Sequence, residues 1–165
     1  MTDTQSPELP QGDTIRLLTP SDDIDTMARC LFDLWHDYDP AETLETCRAD
    51  LLEGLEPSVK IPKTFVYRQG GKVAGWASII NVEIQDRPDF GPWLANLTVL
   101  PDFRGQGIAR ALTRHVMDYA KGVTDVLYLY TDTLEASYAK LGWRTERQIH
   151  IGAKPVTLMA WEPRG

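Results

Sequence analysis

The chain has 165 residues, 42% of them hydrophobic and 25% charged, which is one domain's worth of sequence and enough apolar content for a single packed core without staples. Its 17 Lys and Arg against 24 Asp and Glu leave a net charge of −7, so the overall field repels phosphate backbones and a basic nucleic-acid footprint is missing. Two cysteines without metal-ligand spacing argue against a disulfide scaffold, and with no span-length apolar run and no basic start in Met1-Thr2-Asp3-Thr4-Gln5, a soluble cytoplasmic protein is expected.

Residues 1–13 are polar, interrupted by Pro7, Pro10 and Gly12, and read as a flexible polar tail before a single domain over 14–165. Thr14-Ile15-Arg16-Leu17-Leu18-Thr19 predicts a short strand closed by Pro20. Ser21 has the place of a helix N-cap, with Asp22 and Asp23 in the first turn, where the helix dipole favours them. Ile24, Met27, Ala28, Leu31, Leu34 and Trp35 then recur at three- and four-residue steps, the pattern of an amphipathic helix. A second helix is expected to start at Asp39-Pro40-Ala41-Glu42, in the form of a capping box with proline at the first helical position. Leu44, Cys47, Leu51 and Leu52 give it an apolar face, and Cys30 and Cys47 read as reduced thiols in or near the core.

From residue 63 the period changes. Thr64 to Arg68, a Gln69-Gly70-Gly71-Lys72 turn and Val73 to Val82 predict a hairpin. A loop follows over 84–92, with Pro88, Gly91 and Pro92, and then a strongly apolar strand from Trp93 to Leu100, stopped by Pro101. A helix is expected over 105–121, with Ile108, Ala111, Leu112, Val116, Tyr119 and Ala120 on its apolar face. Val126 to Thr131 is apolar on both faces, as a central strand is. A short helix over 133–141 ends at Gly142, and two strands over 143–151 and 156–161 are joined by Gly152-Ala153-Lys154-Pro155. The order β-α-α-β-β-β-α-β-α-β-β describes one mixed α/β (α+β) domain around a largely antiparallel sheet.

The informative stretch runs from Val99 to Ala109: a strand, a turn with Gly105 and Gly107, and the first turn of a helix. Helix N-termini carry unpaired N–H groups and partial positive charge, so such a turn binds phosphate readily. A P-loop ending is missing, and the third small residue of the dinucleotide fingerprint is replaced by Arg110. On these residues alone, a phosphate cradle and a plain glycine turn entering a helix both stand.

Arg104-Gly105-Gln106-Gly107-Ile108-Ala109 resembles the Arg/Gln-x-x-Gly-x-Gly/Ala motif of the GCN5-related N-acetyltransferase (GNAT) family, and Val99-x-Pro101 and Ala111-Leu112 fit the same pattern. Tyr138-Ala139-Lys140-Leu141-Gly142-Trp143 resembles that family's Tyr-x-Lys-Leu-Gly-Phe segment. The element order is similar too, and the resemblance covers nearly all of 14–162, most strongly 93–143. Strand residues 93–95 and 127–131 look like a bacterial branch of small stand-alone members. Departures are Ala109 for the loop's second glycine, Thr131 where many relatives carry Asn, and Trp143 for Phe.

The resemblance implies a GNAT fold, a twisted, mostly antiparallel mixed sheet with helices on both faces. It also implies transfer of an acetyl group from acetyl-CoA, as co-substrate and without a metal, by direct attack of a primary amine on a small molecule or peptide. Backbone groups of Leu97, Thr98 and Val99 would then bond the pantetheine arm, those of Arg104, Gly105, Gln106, Gly107, Ile108 and Ala109 the pyrophosphate, and the Thr131 hydroxyl the arm again. An N–H near Val99 would face the thioester oxygen. Tyr138 matches the position that gives a proton to the departing thiolate. The base is expected at Glu83, with Asp86 second, or at an ordered water.

Other readings are a non-catalytic acyl-CoA sensor, against which an intact Tyr138 argues, and an acetyltransferase of protein N-termini or lysines. Binding of ATP at the glycine turn lacks the necessary Lys and Ser/Thr. His36, His115 and His150 share no spacing, so no metal site is expected. Trp35, Tyr38 and Trp76 read as core or cleft wall, and Trp35 and Tyr38 lie where the first two helices meet, the region that the resemblance implies shapes the acceptor pocket. Asp33, Asp37, Asp39 and Glu42 read as a solvated face that could guide a cationic acceptor. The chain is expected to be a monomer or homodimer.

Overall fold

The computed structural model describes residues 8–37, 42–81 and 90–163. In chain order its elements are β1 (Asp13–Leu17), α1 (Ile24–Trp35), α2 (Leu44–Glu53), β2 (Lys63–Gln69), β3 (Lys72–Ile80), β4 (Trp93–Val99), α3 (Ile108–Ala120), β5 (Leu127–Thr131), α4 (Glu135–Ala139), β6 (Arg144–Ile151) and β7 (Lys154–Trp161), with a 3-10 turn at Pro101–Phe103. The element order is the expected one. The seven strands form one sheet in the order β1-β2-β3-β4-β5-β7-β6. Every pairing is antiparallel except β4 with β5.

Successive side chains of the central strands feed two different cores, as the two-residue period of a strand requires. Phe65 and Tyr67 pack with Ile108, Leu112 and Val116 of α3 on one face. Val66, between them, packs with Trp76 and with Met27, Leu31, Cys47 and Leu51 of α1 and α2 on the other. That two-sided burial is why the middle strands read as continuous apolar runs rather than alternating ones.

Both early helices start later than their sequences suggest. The cap of α1 is Asp23, not Ser21: its carboxylate accepts from the Thr26 N–H at 3.1 Å and the Thr26 hydroxyl at 2.7 Å. Asp22 is not in the first turn either, because its carboxylate is spent on Arg68 of β2 and on the Thr19 N–H at 2.7 Å. The cap of α2 is Thr43, in a reciprocal box with Thr46: Thr43 Oγ1 accepts the Thr46 N–H at 3.1 Å and Thr46 Oγ1 accepts the Thr43 N–H at 2.9 Å. Asp39, Pro40 and Ala41 lie outside the described residues, and Glu42 precedes the helix.

The Glu42 carboxylate accepts from the Thr46 hydroxyl at 2.7 Å and the Cys47 thiol at 3.1 Å. It is therefore occupied at the entry to α2. Burial and this carboxylate push the Cys47 thiol up to about 12, which makes it inert at neutral pH. At the N-terminus β1 opens at Asp13, one residue before the expected start, and Leu9 packs against the α3-side core. Among the described residues no helix is long and apolar enough to cross a membrane.

Candidate active site

The site begins where the one parallel pairing fails. β4 and β5 are in register only at Trp93 opposite Tyr128, with the Tyr128 N–H donating to the Pro92 carbonyl at 3.0 Å. Beyond that point the strands part. A cavity of about 360 Å³ fills the gap, lined by four consecutive residues of β4, Leu94 to Leu97, and three of β5, Leu129 to Thr131.

A bulge shapes the β4 side. Trp76 pairs with Thr98 and Ser78 with Ala95, so Ala77 faces two residues, Asn96 and Leu97. Asn96 takes φ +58°, a left-handed conformation that asparagine tolerates better than most residues, and its carbonyl accepts the Thr98 hydroxyl at 3.0 Å. On the far side of β4, Gly75 lies opposite Val99, and a Cβ there would overlap the Thr98 carbonyl oxygen.

The glycine turn lies at the end of the same strand. A second cavity, of about 320 Å³, is lined by Leu97, Thr98, Val99, Arg104, Gly105, Gly107, Ile108 and Ala109, and it shares Leu34 and Leu97 with the first. Gly105 and Gly107 both take φ +79°, and a Cβ at either would meet only open space. Among the described residues no side chain caps α3, whose first internal bond is the Ala111 N–H to the Gly107 carbonyl at 3.1 Å. The N–H groups ahead of Ala111 are thus presented at the helix's positive end, beside a cavity that the glycines leave clear. Arg104 folds back, its Nε donating to the Val99 carbonyl at 3.1 Å.

Of the expected loop residues only Gln106 does not line this cavity; its Oε1 accepts the Gln69 Nε2–H at 2.7 Å, which ties the turn to the β2–β3 hairpin. Thr131 lines the first cavity, and its hydroxyl oxygen accepts the Leu134 N–H at 3.1 Å at the entry to α4. Tyr138 rides on α4 and lines the first cavity as well. Its ring meets Trp143 edge-on with centroids 6.1 Å apart, and burial raises its phenol above the usual value.

Trp35 forms a wall of the same cavity, edge-to-face with Tyr130 at 6.4 Å, whereas Trp76 is fully buried core. Glu83, Asp86, Tyr38 and Asp39 lie outside the described residues. The histidines stay apart: His36 bonds the Phe32 carbonyl at the end of α1, His115 packs edge-on against Phe65 and His150 is exposed on β6.

Sequence reasoning did not single out Asn96, Asp132 or Lys154, which also line the splay. Asn96 had a signal, a lone turn-forming residue inside an apolar strand. Asp132 and Lys154 meet at 3.0 Å only through the fold.

Residues 25–143 match the model of the acetyltransferase (GNAT) family. No protein of curated function matches the chain in sequence. Among solved structures, a GNAT-family acetyltransferase from Streptococcus pneumoniae superposes with TM-score 0.67 at 20% identity, over 91% of this chain and 98% of that one. YncA, a putative acetyltransferase from Salmonella typhimurium crystallised with acetyl-CoA, gives 0.66 at 19% identity over 92% and 94%. An N-acetyltransferase from Staphylococcus aureus gives 0.66 at 16% identity over 92% and 98%.

Proposed function

Because this chain belongs to the GNAT family of acetyltransferases, we propose that it moves the acetyl group of acetyl-CoA to a primary amine, with the splay between β4 and β5 as the donor groove. One observation carries the reading: the cavity in the splay is bounded by Tyr138 and shares Leu34 and Leu97 with the cavity at the glycine turn.

In this reading the donor enters as substrate. The residues fit it in two ways, by the unfilled space over Gly105 and Gly107 and by the uncapped start of α3. The N–H groups of residues 105–109 hold the pyrophosphate, the expected Arg104 N–H being taken by the Pro101 carbonyl at 3.4 Å, and backbone groups of Leu97, Thr98 and Val99 take the pantetheine arm as a partner in place of β5. The Thr131 hydroxyl, already accepting from Leu134, has its proton left to donate to the arm. An N–H near Val99 stabilises charge on the thioester oxygen. As the amine nitrogen bonds to the acetyl carbon and the carbon–sulfur bond breaks, the thiolate takes its proton from Tyr138 and the nitrogen's proton leaves to water, directly or through Glu83.

Thermal unfolding with acetyl-CoA, CoA and ATP tests the groove. A ligand at one hundred times its Kd stabilises by about 2.7 kcal/mol, so Tm rises with the two CoA species and not with ATP. No rise at saturating acetyl-CoA removes the reading. Thiol release in the presence of amines then distinguishes an enzyme from a sensor.

A further inference from the structure

Among the described residues, a positive φ belongs to a glycine at every position but one. The exception is Asn96, which holds φ +58° with a side chain in place. Glycine takes that conformation without steric cost, whereas asparagine is strained in it. The bulge of β4 therefore explains the turn but not the carboxamide. Asn96 is half-buried and lines the cavity in the splay, not the one at the glycine turn, while Leu97 beside it lines both. Thr131 and Asp132, on the opposite strand end, are engaged by Leu134 and Lys154. The Asn96 carboxamide takes part in no hydrogen bond among the described residues, and neither does the Tyr138 hydroxyl in the same cavity.

We infer that Asn96 is an acceptor-binding residue, whose Oδ1 accepts an N–H of the attacking primary amine. The inference rests on the acetyltransferase reading of the same cavity and names a group that orients its second substrate. A donor anchored at the glycine turn brings its acyl end along β4 from Val99 towards Asn96. The carboxamide then lies on the side of the thioester away from the turn, where the cavity continues to Leu94 and Ala95.

A neutral primary amine has one lone pair and two N–H groups. With one N–H given to Asn96, the lone pair is turned onto the acyl carbon, and the hydrogen bond strengthens as the nitrogen becomes positive on attack. The nitrogen–carbon bond forms, the carbon–sulfur bond breaks, Tyr138 protonates the sulfur, and the other N–H gives up its proton to water. Asn96 gains and loses no proton, because a carboxamide has none to exchange at neutral pH. A secondary amine has a single N–H, which must leave, so it cannot keep this bond through to product.

The test measures thiol release from acetyl-CoA with phenethylamine, isoamylamine and L-leucinamide, each beside its derivative methylated at the same nitrogen. The wild type is compared with Asn96→Gly, which keeps the bulge and deletes the carboxamide, and with Asn96→Asp, which keeps an oxygen there and tolerates the same φ. In Asn96→Gly, kcat/KM for the primary amines should fall about tenfold or more, mainly in kcat, and the preference for primary over methylated amines should fall towards one. Its Tm and its thermal response to acetyl-CoA should hold, and Asn96→Asp should stay near wild type. An unchanged primary-amine kcat/KM in Asn96→Gly assigns the asparagine to the bulge alone. Equal losses in both variants show that the oxygen is not what acts, and a lost response to acetyl-CoA places the effect in the donor groove. Each of these overturns the inference while acetyl transfer stands. Thermal stabilisation by acetyl-CoA without thiol release from any of the amines removes the acetyltransferase reading and this inference with it.

Discussion

Tyr138 is placed by a local motif and tuned by its surroundings. Burial raises its phenol above the ordinary value near ~10, so the acid form persists through neutral and mildly alkaline pH. The sign follows from the proposed role. A proton donor is active when protonated, so the raised value keeps it competent as pH rises and loses it only above the usual tyrosine range. Tyr138→Phe is expected to lower kcat by ~10²-fold, to leave the KM for acetyl-CoA unchanged, and to remove the alkaline limb of the kcat profile. The glycine turn makes a second prediction. At Gly107, φ is +79°, and an alanine there costs about 1–2 kcal/mol in backbone strain while placing a methyl in the space proposed for the pyrophosphate. Gly107→Ala should weaken acetyl-CoA binding about tenfold or more by calorimetry. Gly12→Ala, with comparable strain at φ +88° and no ligand nearby, should cost stability and leave binding intact. Both positions were legible because their signals lie within a few residues. The Asp22–Arg68 and Asp132–Lys154 pairs were not, since neither partner has a sequence neighbour that announces the other.

At the scale of elements, the question is how α4 holds still. Five residues are too few for a helix to persist unaided. Thr131 holds its entry through the Leu134 N–H, and the Glu135 carboxylate accepts the hydroxyl of Thr157 on β7 at 2.8 Å. Thr157, 2% exposed, in turn accepts from Gln148 Nε2 of β6 at 2.8 Å. Thr157→Val therefore leaves Glu135 and Gln148 without this link, at about 1–3 kcal/mol. A fall in Tm of roughly 2–10 °C is expected. Because Tyr138 rides on the loosened helix, kcat should fall as well while acetyl-CoA affinity holds; equal loss of both would mean that α4 merely braces the fold. The existence of α4 could be read from sequence, although it stops at Ala139 rather than running up to Gly142; the bracing, which joins three elements, could not. The start of α2 was misread for a related reason. Proline after aspartate mimics a cap, whereas the working box is Thr43 with Thr46, two hydroxyls in reciprocal bonds.

Viewed whole, the sheet is two blocks, β1–β4 and β5–β7, joined in the sheet by a single residue pair between β4 and β5. The packing of α3 bridges them: Leu127, Leu129 and Met159 from the second block share a core with Leu112 and Val116. A donor seated in the splay as proposed would bond to the first block and lie against the second. Hydrogen exchange should accordingly slow on adding CoA at the amides of β4 beyond Trp93, at the start of α3 and in β5, with little change in β1 or β6. Protection confined to the glycine turn would mean that the arm does not enter the splay. The apolar periodicities and turn signals revealed which segments are strands and helices and hence the order of elements, an order similar to the family's. The insertion of β7 between β5 and β6 follows from neither the local pattern nor the turn lengths, because it depends on which faces remain to be covered once β5 is central.

The parting of the strands also marks where the chain can be cut. Polypeptide passes from one block to the other through the short connection between α3 and β5, where Lys121 and Gly122 are exposed. A break there severs no hydrogen-bonded strand. The two fragments keep a common apolar interface, and an acyl-CoA seated in the splay as proposed would lie across it as the fastener, so a severed chain of this kind is a natural starting point for a complementation sensor of acyl-CoA.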